Sequence, residues 1–483
     1  MRMTLQDSHI TPTEERLQEI PDASRTTNVS GQFWIWAAVN LAPVNWILGG
    51  LGIALGLGLW DAFLVLAVGN VLGAGIFGVF VLIGQRTGVT AMVLSRAVFG
   101  RAGAYLPTAV HATVTIGWCA INTWVVLDLL VTLFGEVGFI DPSAENTALR
   151  IAIAAVLMAL QLWIALGGFK VISIFERWTT PPTLAVLLLM TVTAWGFIGV
   201  DWSYSGAGLE GAARISAMSA VMTAIGFGWG VTFYAYAADY SRFVARTVPS
   251  KRLYFTAIMG QIIPVLWLGL LGATLAASHP GSDPGMLIVE NYGVLAIPVL
   301  LLVIHGPLAK NSFNIYSFSV TAQALDIKLG RRALSIIAAS VAMVIATLFV
   351  FFSEYASTIT TWLSAAAVWV AAWAGTTLVY YFRIARGRVD TKALFVPVRH
   401  GATRSIDFTA FVSFFAGLVS GWLLMYGGLP AFKGPIAEAL GGVDLSWLAS
   451  GVVSALTYYI LNIRSSTRVS APDEDLKEQR RNR

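Results

Sequence analysis

Residues 33–50 read FWIWAAVNLAPVNWILGG, an apolar stretch that carries Asn40, Pro43 and Asn45 near its middle. Its length approaches the roughly 20 residues with which a helix crosses a bilayer. Because proline removes a backbone hydrogen bond and clashes with the preceding turn, we expect the helix to break here. Backbone groups that are freed at this depth persist only where they line a cavity or bind a ligand. The stretch therefore predicts an interrupted membrane span with a functional site at the break.

A second apolar stretch, TAIGFGWGVTFYAYAADYSRF at residues 223–243, carries Gly226, Gly228 and Gly230 at its middle. Each glycine weakens a helix by about 1 kcal/mol relative to alanine. The two stretches are spans one and six, which occupy equivalent places if the chain consists of two five-helix halves and two further helices. Interrupted helices at equivalent places predict an inverted-repeat transporter that binds its substrate at the breaks. The alternative is that Pro and Gly are simply common in membrane helices.

The rest of the chain has the composition of a membrane protein. Of its 483 residues, 57% are hydrophobic and 12% are charged, with a mean hydropathy of +0.72, whereas a soluble protein carries roughly a quarter of its residues as charge. We predict an all-α polytopic membrane protein of about twelve transmembrane helices. The expected spans are residues 31–58, 62–84, 105–134, 147–169, 178–200, 213–238, 253–277, 294–324, 333–352, 355–382, 408–428 and 441–463.

The distribution of basic residues predicts the orientation. If the N terminus lies inside, most lysines and arginines fall in cytoplasmic loops and tails, and the other side keeps only Arg150, Arg214 and Lys433. The positive-inside rule then places both termini in the cytoplasm of a multi-pass protein of the cell (plasma or inner) membrane. We expect a cytoplasmic tail at 1–30, a membrane domain at 31–464 and a second tail at 465–483. The net charge of +5 reflects this topology, and nucleic-acid binding is not expected.

Span three carries two residues that could bind a flat solute. Trp118 and Asn122 are four residues apart and share one helix face. An indole can stack on a planar heterocycle, and a carboxamide offers both a donor and an acceptor to its edge. The alternative is a packing tryptophan beside an asparagine that bonds a neighbouring helix.

Span eight is the most polar of the buried helices. Lys310, Asn314, Ser317 and Thr321 share a narrow stripe, with Asn311 on its flank. A charged residue near mid-membrane costs at least about 2.5–3.5 kcal/mol and is a functional candidate by default. The lysine needs a carboxylate, a carbonyl lining or a wet cavity as its partner.

Other polar residues in the spans are weaker candidates for a functional role. Asp128 of span three is the clearly intramembrane acid and a candidate partner for the span-eight lysine. Asp239 and Arg242 close span six, where a surface location is favoured over a gate that pins the helix to a loop. His111 and His305 are expected in hydrogen-bonded packing, with a proton relay as the alternative. Since no spacing matches a metal site, a phosphate-binding loop or a nucleophile elbow, no metal or cofactor is expected.

Three motifs resemble those of the nucleobase–cation symporters of the first type, the bacterial and fungal permeases for cytosine, purines, uracil, allantoin and hydantoins. SRAVFG at 95–100 looks like the Ser-Arg-Ala-x-Phe-Gly loop of the family. ADYSR at 238–242 is similar to its Asp-Tyr/Phe-Ser-Arg signature, and NSFNIYS at 311–317 to the asparagine-rich helix of the purine–cytosine branch. The motifs fall within spans one to eight in the family's order.

The resemblance implies a LeuT-like fold, a 5+5 inverted repeat plus two C-terminal helices. Spans one, two, six and seven would form a bundle that moves against a scaffold of spans three, four, eight and nine. It implies that a substrate ring stacks between Trp118 and an aromatic residue of span six, either Trp229 or Phe233. The edge of the ring would then be recognised by asparagines: Asn122, with Asn311 or Asn314.

The coupling ion is where this sequence departs from sodium-coupled relatives. Those relatives place sodium between carbonyls of the span-one break, here near Asn40, and hydroxyls of span eight. Residues 307–310 of this chain read Pro-Leu-Ala-Lys, with no hydroxyl and with Lys310 close to the cation position. The ammonium is expected either to take the place of sodium as a fixed charge or, if burial lowers its pKa, to load and release a proton. We therefore expect a proton-coupled or sodium-independent carrier, with a coupling or gating role for Asn40, Asp128, Asp239, Arg242 and Lys310.

The predicted partners are a small heterocyclic solute and the lipid bilayer. Cytosine or a purine is favoured from the span-eight pattern, and an allantoin, hydantoin, thiamine or pyridoxine permease is the alternative. An amino-acid carrier of the same fold is a further alternative. A membrane enzyme is disfavoured because the sequence has no convergent catalytic set, and a channel because it has no filter motif.

Overall fold

The computed structural model describes residues 18–42, 44–140, 147–327, 329–351, 355–396 and 404–466. Pro43, most of both predicted tails and the side chains of His305 and Gln323 lie outside this description. Within it the chain is helical, and its β-structure consists of two isolated bridges. The helices are α1 (Val29–Asn40), α2 (Val44–Gly49), α3 (Leu51–Ala54), α4 (Leu59–Thr87), α5 (Ala91–Phe99), α6 (Tyr105–Glu136), α7 (Thr147–Leu166), α8 (Gly168–Thr193), α9 (Gly211–Val221), α10 (Gly228–Thr232), α11 (Tyr234–Ser241), α12 (Ser250–Ser278), α13 (Pro284–Tyr292), α14 (Ala296–Thr321), α15 (Arg331–Phe351), α16 (Tyr355–Val379), α17 (Phe408–Leu423), α18 (Pro435–Ala439) and α19 (Ser446–Ser466).

The predicted spans correspond to these helices in order. Span one consists of α1 to α3, and span two is α4. Spans three, four and five are α6, α7 and α8, span six consists of α9 to α11, and span seven is α12. Spans eight to eleven are α14 to α17, and span twelve is α19. In the described residues, ten helices are long and apolar enough to cross a membrane, or eleven if the bent pair of span one counts as one. The prediction of about twelve differs at α17, which is apolar but has only 16 residues.

The break predicted in span one is present. The axes of Val29–Asn40 and Val44–Ala54 differ by 68°. The Leu41 N–H still bonds the carbonyl of Ala37, so the first half of the span ends in a regular turn. Around the break, side chains satisfy the backbone, because the amide of Asn45 donates to the carbonyl of Asn40.

The interruption predicted in span six is wrong. This span stays wound from Gly211 to Ser241, with a π-helical turn at Met222–Phe227 and a slight irregularity at Phe233. The wider π turn redirects backbone groups without freeing a whole segment. Asn70 of span two bonds the carbonyl of Ile225 within that turn at 3.0 Å.

The glycines of span six serve close packing instead. Gly226 and Gly230 face Gly69 and Gly73 of span two, so each helix presents two glycines four residues apart. A Cβ atom at Gly69 would lie 2.5 Å from the Cα of Gly226, and one at Gly230 would lie 3.1 Å from the Cα of Gly73. Small residues at this spacing let the backbones of membrane helices approach closely. The pattern was therefore a packing signal rather than a break.

Replacing Gly69 with alanine is expected to destabilise the protein, because its methyl group would overlap the backbone of span six. Overpacking of this kind costs about 1–3 kcal/mol. Gly75→Ala in the same helix is the matched control, since a Cβ there meets only the Tyr254 hydroxyl at 3.6 Å. Thermal unfolding in detergent measures the difference, and equal melting temperatures of the two variants would contradict the packing argument.

The remaining packing divides the spans into two groups. Span one packs on span seven, and span six packs on span two. Spans two and seven also pack on each other. Span three packs on spans eight and nine, and span four packs on the same two helices. These groups are the bundle and the scaffold of the predicted LeuT-like fold. Helices α16, α17 and α19 form a third group.

The Ser-Arg-Ala-x-Phe-Gly segment ties the scaffold together at one end. Arg96 in α5 is 3% exposed and donates to the carbonyl oxygens of Ala324 and Leu394 and to the carboxylate of Asp326. Burial lowers the pKa of the Arg96 guanidinium, while Asp326 acts in the opposite direction. The arginine thereby fixes the segment before span three to the end of span eight, which aligns the two helices that carry the site residues.

Candidate substrate site

A cavity of about 430 Å³ lies where spans one, three, five, six and eight meet. Its volume falls within the range of small-molecule sites. The cavity extends to Gly31 near the start of span one and to Tyr240 near the end of span six. Five predicted site residues line it: Trp118, Trp229, Phe233, Lys310 and Asn314.

The two tryptophans of the site contact each other directly. The ring centroids of Trp118 and Trp229 are 5.1 Å apart, and their planes meet at 82°. A ring held between two parallel faces needs about 7 Å between them, twice the contact distance of roughly 3.5 Å. Trp118 and Trp229 therefore do not form the predicted sandwich in this conformation. Trp362 packs on Trp118 with the same edge-to-face geometry, at 5.1 Å.

Lys310 lies between the span-one break and the indole of span six. Its Nζ is 3.4 Å from the carbonyl oxygen of Val39, one residue before the end of α1. The same ammonium lies 5.2 Å from the centre of the Trp229 ring. A cation over an indole face is stabilised by about 0.5–2 kcal/mol. Span eight thus places the amino group of a lysine beside the carbonyls of the break.

Asp128 is not the partner of this lysine. Its carboxylate accepts a hydrogen bond of 2.8 Å from the backbone N–H of Gly285, in the first turn of α13. It lies ten residues beyond Trp118 in span three, which corresponds to about 15 Å along a helix. The candidate pairing fails because a helix N-terminus at the far end of the span provides donors for the acid.

Asn40 holds the indole of Trp229 in place. The Trp229 Nε1–H donates to Asn40 Oδ1 at 3.0 Å, and the Asn40 amide donates to the Trp36 carbonyl at 2.8 Å. Asn40 is fully buried. It is thus a positioning residue that connects the break of span one to span six.

An Asn40→Ala variant is expected to weaken substrate affinity about 5- to 10-fold, because the indole N–H loses a hydrogen bond of about 1 kcal/mol and its orientation. A double-mutant cycle with Trp229→Phe isolates the effect, since phenylalanine has no N–H to position. The double variant should bind about as weakly as Trp229→Phe alone. Binding constants that multiply across the two changes would contradict the positioning role.

Two of the predicted asparagines are not in the cavity wall. Asn311 is fully buried and bonds the Cys119 carbonyl, Thr123 and Gln161. Its Oδ1 accepts from Asn122 Nδ2 at 3.0 Å. These bonds join spans three, four and eight, so Asn311 serves the scaffold in this conformation.

Asn314 remains the asparagine that faces the cavity. Its Nδ2 is buried and has no hydrogen-bond partner among the described residues. Asn122 has an acceptor in the same condition, its Oδ1. Because buried polar groups are nearly always bonded, a polar solute edge or water is expected at Asn314 Nδ2, which faces the cavity.

The end of span six is less exposed than predicted. Arg242 is 4% exposed, so the surface location favoured from the sequence is wrong. Its Nε donates to the Asp239 carbonyl, while the Asp239 carboxylate accepts from the Ala91 N–H at 3.4 Å. Asp239 thus fixes the end of span six to the start of α5, which corresponds to the pin considered as the alternative.

Sequence reasoning missed several residues of the cavity wall. Thr179, Thr180 and Thr183 of span five line it, as do Tyr236 and Phe313. One signal was available, since Tyr236 follows Trp229 by seven residues and therefore lies on the same helix face. The contribution of span five depends on tertiary packing and had no such signal.

The sequence matches a family model described as a permease for cytosine/purines, uracil, thiamine and allantoin, over residues 19–449. The chain belongs to this family. It is a transporter, as predicted, and not a membrane enzyme. It is 23% identical to the putative purine-cytosine permease YxlA of Bacillus subtilis, over 92% of this chain and 94% of that protein. It is 24% identical to the purine-cytosine permease fcyB of Emericella nidulans, over 92% and 87% of the two chains.

Solved structures confirm the predicted LeuT-like fold of this permease. The inward-facing conformation of Mhp1 superposes with a TM-score of 0.73 at 16% identity, over 93% of both chains. Mhp1 in a closed conformation with bromovinylhydantoin bound, described as a nucleobase-cation-symport-1 family transporter, gives a TM-score of 0.71 at 16% identity, over 93% of this chain and 94% of that one. The family and its relatives thus support a multi-pass nucleobase transporter that works by alternating access.

Proposed function

We propose that this permease imports cytosine or a purine across the cell membrane, coupled to protons and independent of sodium. The observation that carries the coupling proposal is the position of Lys310, whose ammonium lies 3.4 Å from the Val39 carbonyl at the break of span one. A fixed cation there repels a sodium ion and already satisfies the carbonyl that such an ion would need. The preference for cytosine or a purine rests on the relatives that are purine-cytosine permeases.

The cavity supports a planar and polar solute. Its wall combines the indoles of Trp118 and Trp229 with the unpaired amide donor of Asn314. Stacking on an aromatic face tolerates any flat ring, whereas an unpaired buried donor discriminates against a ring that leaves it unsatisfied. Nucleobases offer both a π face and acceptors at the ring edge.

The proposed orientation places both termini in the cytoplasm. It rests on the excess of lysine and arginine in the loops on the side of the N terminus. The cavity extends toward that same side, to Gly31 near the start of span one and to Tyr240 near the end of span six. In this orientation the structure corresponds to a state from which substrate leaves toward the cytoplasm.

The purified full chain in liposomes tests the proposal with radiolabelled cytosine and adenine. Uptake should rise with an inward proton gradient and stay unchanged when a sodium gradient is applied at zero pH gradient. Uptake that rises with sodium alone would refute the coupling proposal.

Competition by unlabelled compounds tests the substrate class separately. Cytosine, adenine and uracil should compete, and leucine should not. Stronger competition by allantoin, a hydantoin, thiamine or pyridoxine than by any nucleobase would replace the proposed substrate with the corresponding one.

A further inference from the structure

A second facing pair lies two helical turns from the tryptophans. His111 precedes Trp118 by seven residues in span three, and Tyr236 follows Trp229 by seven residues in span six. Seven residues correspond to about 10.5 Å along a helix. The ring centroids of His111 and Tyr236 are 4.5 Å apart, with their planes at 69°. Spans three and six thus bring together two pairs of rings at different depths.

The second pair is buried but connected to the cavity. His111 is 3% exposed, and neither of its ring nitrogens has a hydrogen-bond partner among the described residues. The hydrogen-bonded packing predicted for this histidine is therefore not observed. Tyr236 lines the cavity, and its hydroxyl is 2.6 Å from Thr115 Oγ1. Because Thr115 donates to the His111 carbonyl, the tyrosine hydroxyl donates to the threonine and keeps its own lone pairs available.

Charged side chains on spans six and eight have contacts elsewhere. The hydroxyl of Tyr234, also on span six, has no hydrogen-bond partner among the described residues, and its ring stacks on Phe80. On span six, the Asp239 carboxylate accepts from the Ala91 N–H. On span eight, Lys310 reaches the Val39 carbonyl, and Tyr316 lies beneath the guanidinium of Arg331 at the start of span nine. Tyr236 is thus the titratable group in ring contact with His111 in the described part of the chain.

We propose that His111, with the hydroxyl of Tyr236, binds and releases the coupling proton of this permease. This rests on the proposed proton coupling and assigns its site. A hydronium ion in the cavity gives its proton to the Tyr236 oxygen, and the hydroxyl proton of Tyr236 passes to the unprotonated ring nitrogen of His111. The step leaves water, a neutral tyrosine and an imidazolium whose new N–H faces the tyrosine oxygen. Release to water on the cytoplasmic side restores the neutral ring.

The test separates coupling from substrate handling. His111→Gln is reconstituted as the full chain, and labelled cytosine is followed in two assays, accumulation driven by a proton gradient and exchange across liposomes without any gradient. Accumulation driven by the proton gradient should be lost, while exchange continues at the parental rate. Tyr236→Phe should shift the pH dependence of accumulation, because it removes the hydroxyl beside His111.

His279→Gln is the matched control, because His279 lies near Glu290 at 3.8 Å in the loop between spans seven and eight. It should change neither assay. Parental accumulation by His111→Gln would overturn the assignment, and so would loss of exchange, which would make His111 part of substrate binding. If His111→Gln does not fold, His111→Phe replaces it with a ring of similar size. A parent chain that exchanges cytosine but ignores the proton gradient would refute proton coupling itself.

Discussion

A Lys310→Met variant is expected to lose proton-driven nucleobase uptake by about 10- to 150-fold. Methionine keeps the length of the side chain but removes the ammonium that lies 3.4 Å from the Val39 carbonyl and 5.2 Å from the Trp229 ring centre. A hydrogen bond to a charged group contributes about 1.5–3 kcal/mol, which corresponds to that range of rates. The carbonyl at the break is left without its partner, so the bundle and the scaffold lose a contact next to the substrate. Initial rates of labelled cytosine uptake in liposomes measure the effect.

Lys433→Met is the matched control for this change. Lys433 also lies over an aromatic ring, 5.0 Å from the centre of Tyr426, but it is outside the cavity. Its loss should leave uptake unchanged. A Lys310→Met chain that transports at the parental rate would show that the fixed charge has no role in coupling.

A Trp118→Ala variant is expected to bind its nucleobase about 5- to 150-fold more weakly. The indole lines the cavity and contacts Trp229 at 5.1 Å, so its removal takes away a stacking surface and the support of a second one. Stacking of a base on an aromatic side chain contributes about 1–3 kcal/mol. Trp118→Phe should recover part of the affinity, since it keeps an aromatic face.

Trp124→Ala controls for the loss of a large side chain from the same helix. Trp124 packs on Phe349 at 5.3 Å and does not line the cavity. Affinity is measured by equilibrium binding of labelled cytosine to the detergent-purified chain, and thermal unfolding verifies that each variant is folded. Equal affinities for Trp118→Ala and the parent chain would remove Trp118 from the site.

Features governed by local chemistry could be predicted from the sequence. Long apolar runs determine the spans, and the loops between them carry the charges. The break of span one was predictable because Asn40 and Asn45 flank a proline, and polar groups at this depth need partners near at hand. Trp118 and Lys310 were recognisable because an indole beside polar residues and a charge at mid-membrane both need a tertiary explanation.

Features governed by the choice of partner could not be predicted. The glycines of span six weaken a helix in isolation, but the facing glycines of span two make them a close packing surface. Asp128 was expected at the site because it is an acid within the membrane, and Asn311 because the family resemblance implies it. The N-terminus of α13 and the amide network of spans three and four use these side chains instead. The sequence indicates that a buried polar group has a hydrogen-bond partner, but it does not indicate which of several helices provides that partner.

The contact between Lys310 and the Val39 carbonyl joins the scaffold to the bundle. Because the ammonium is tethered to the chain, its effective concentration at the carbonyl is set by the length of a side chain and not by the salt outside the cell. A transporter that must bind a dissolved cation for each cycle slows when the concentration of that cation falls. We expect this permease to keep its turnover in media of very different salinity, because the lysine ammonium is covalently attached to the chain and does not dissociate when the medium is diluted.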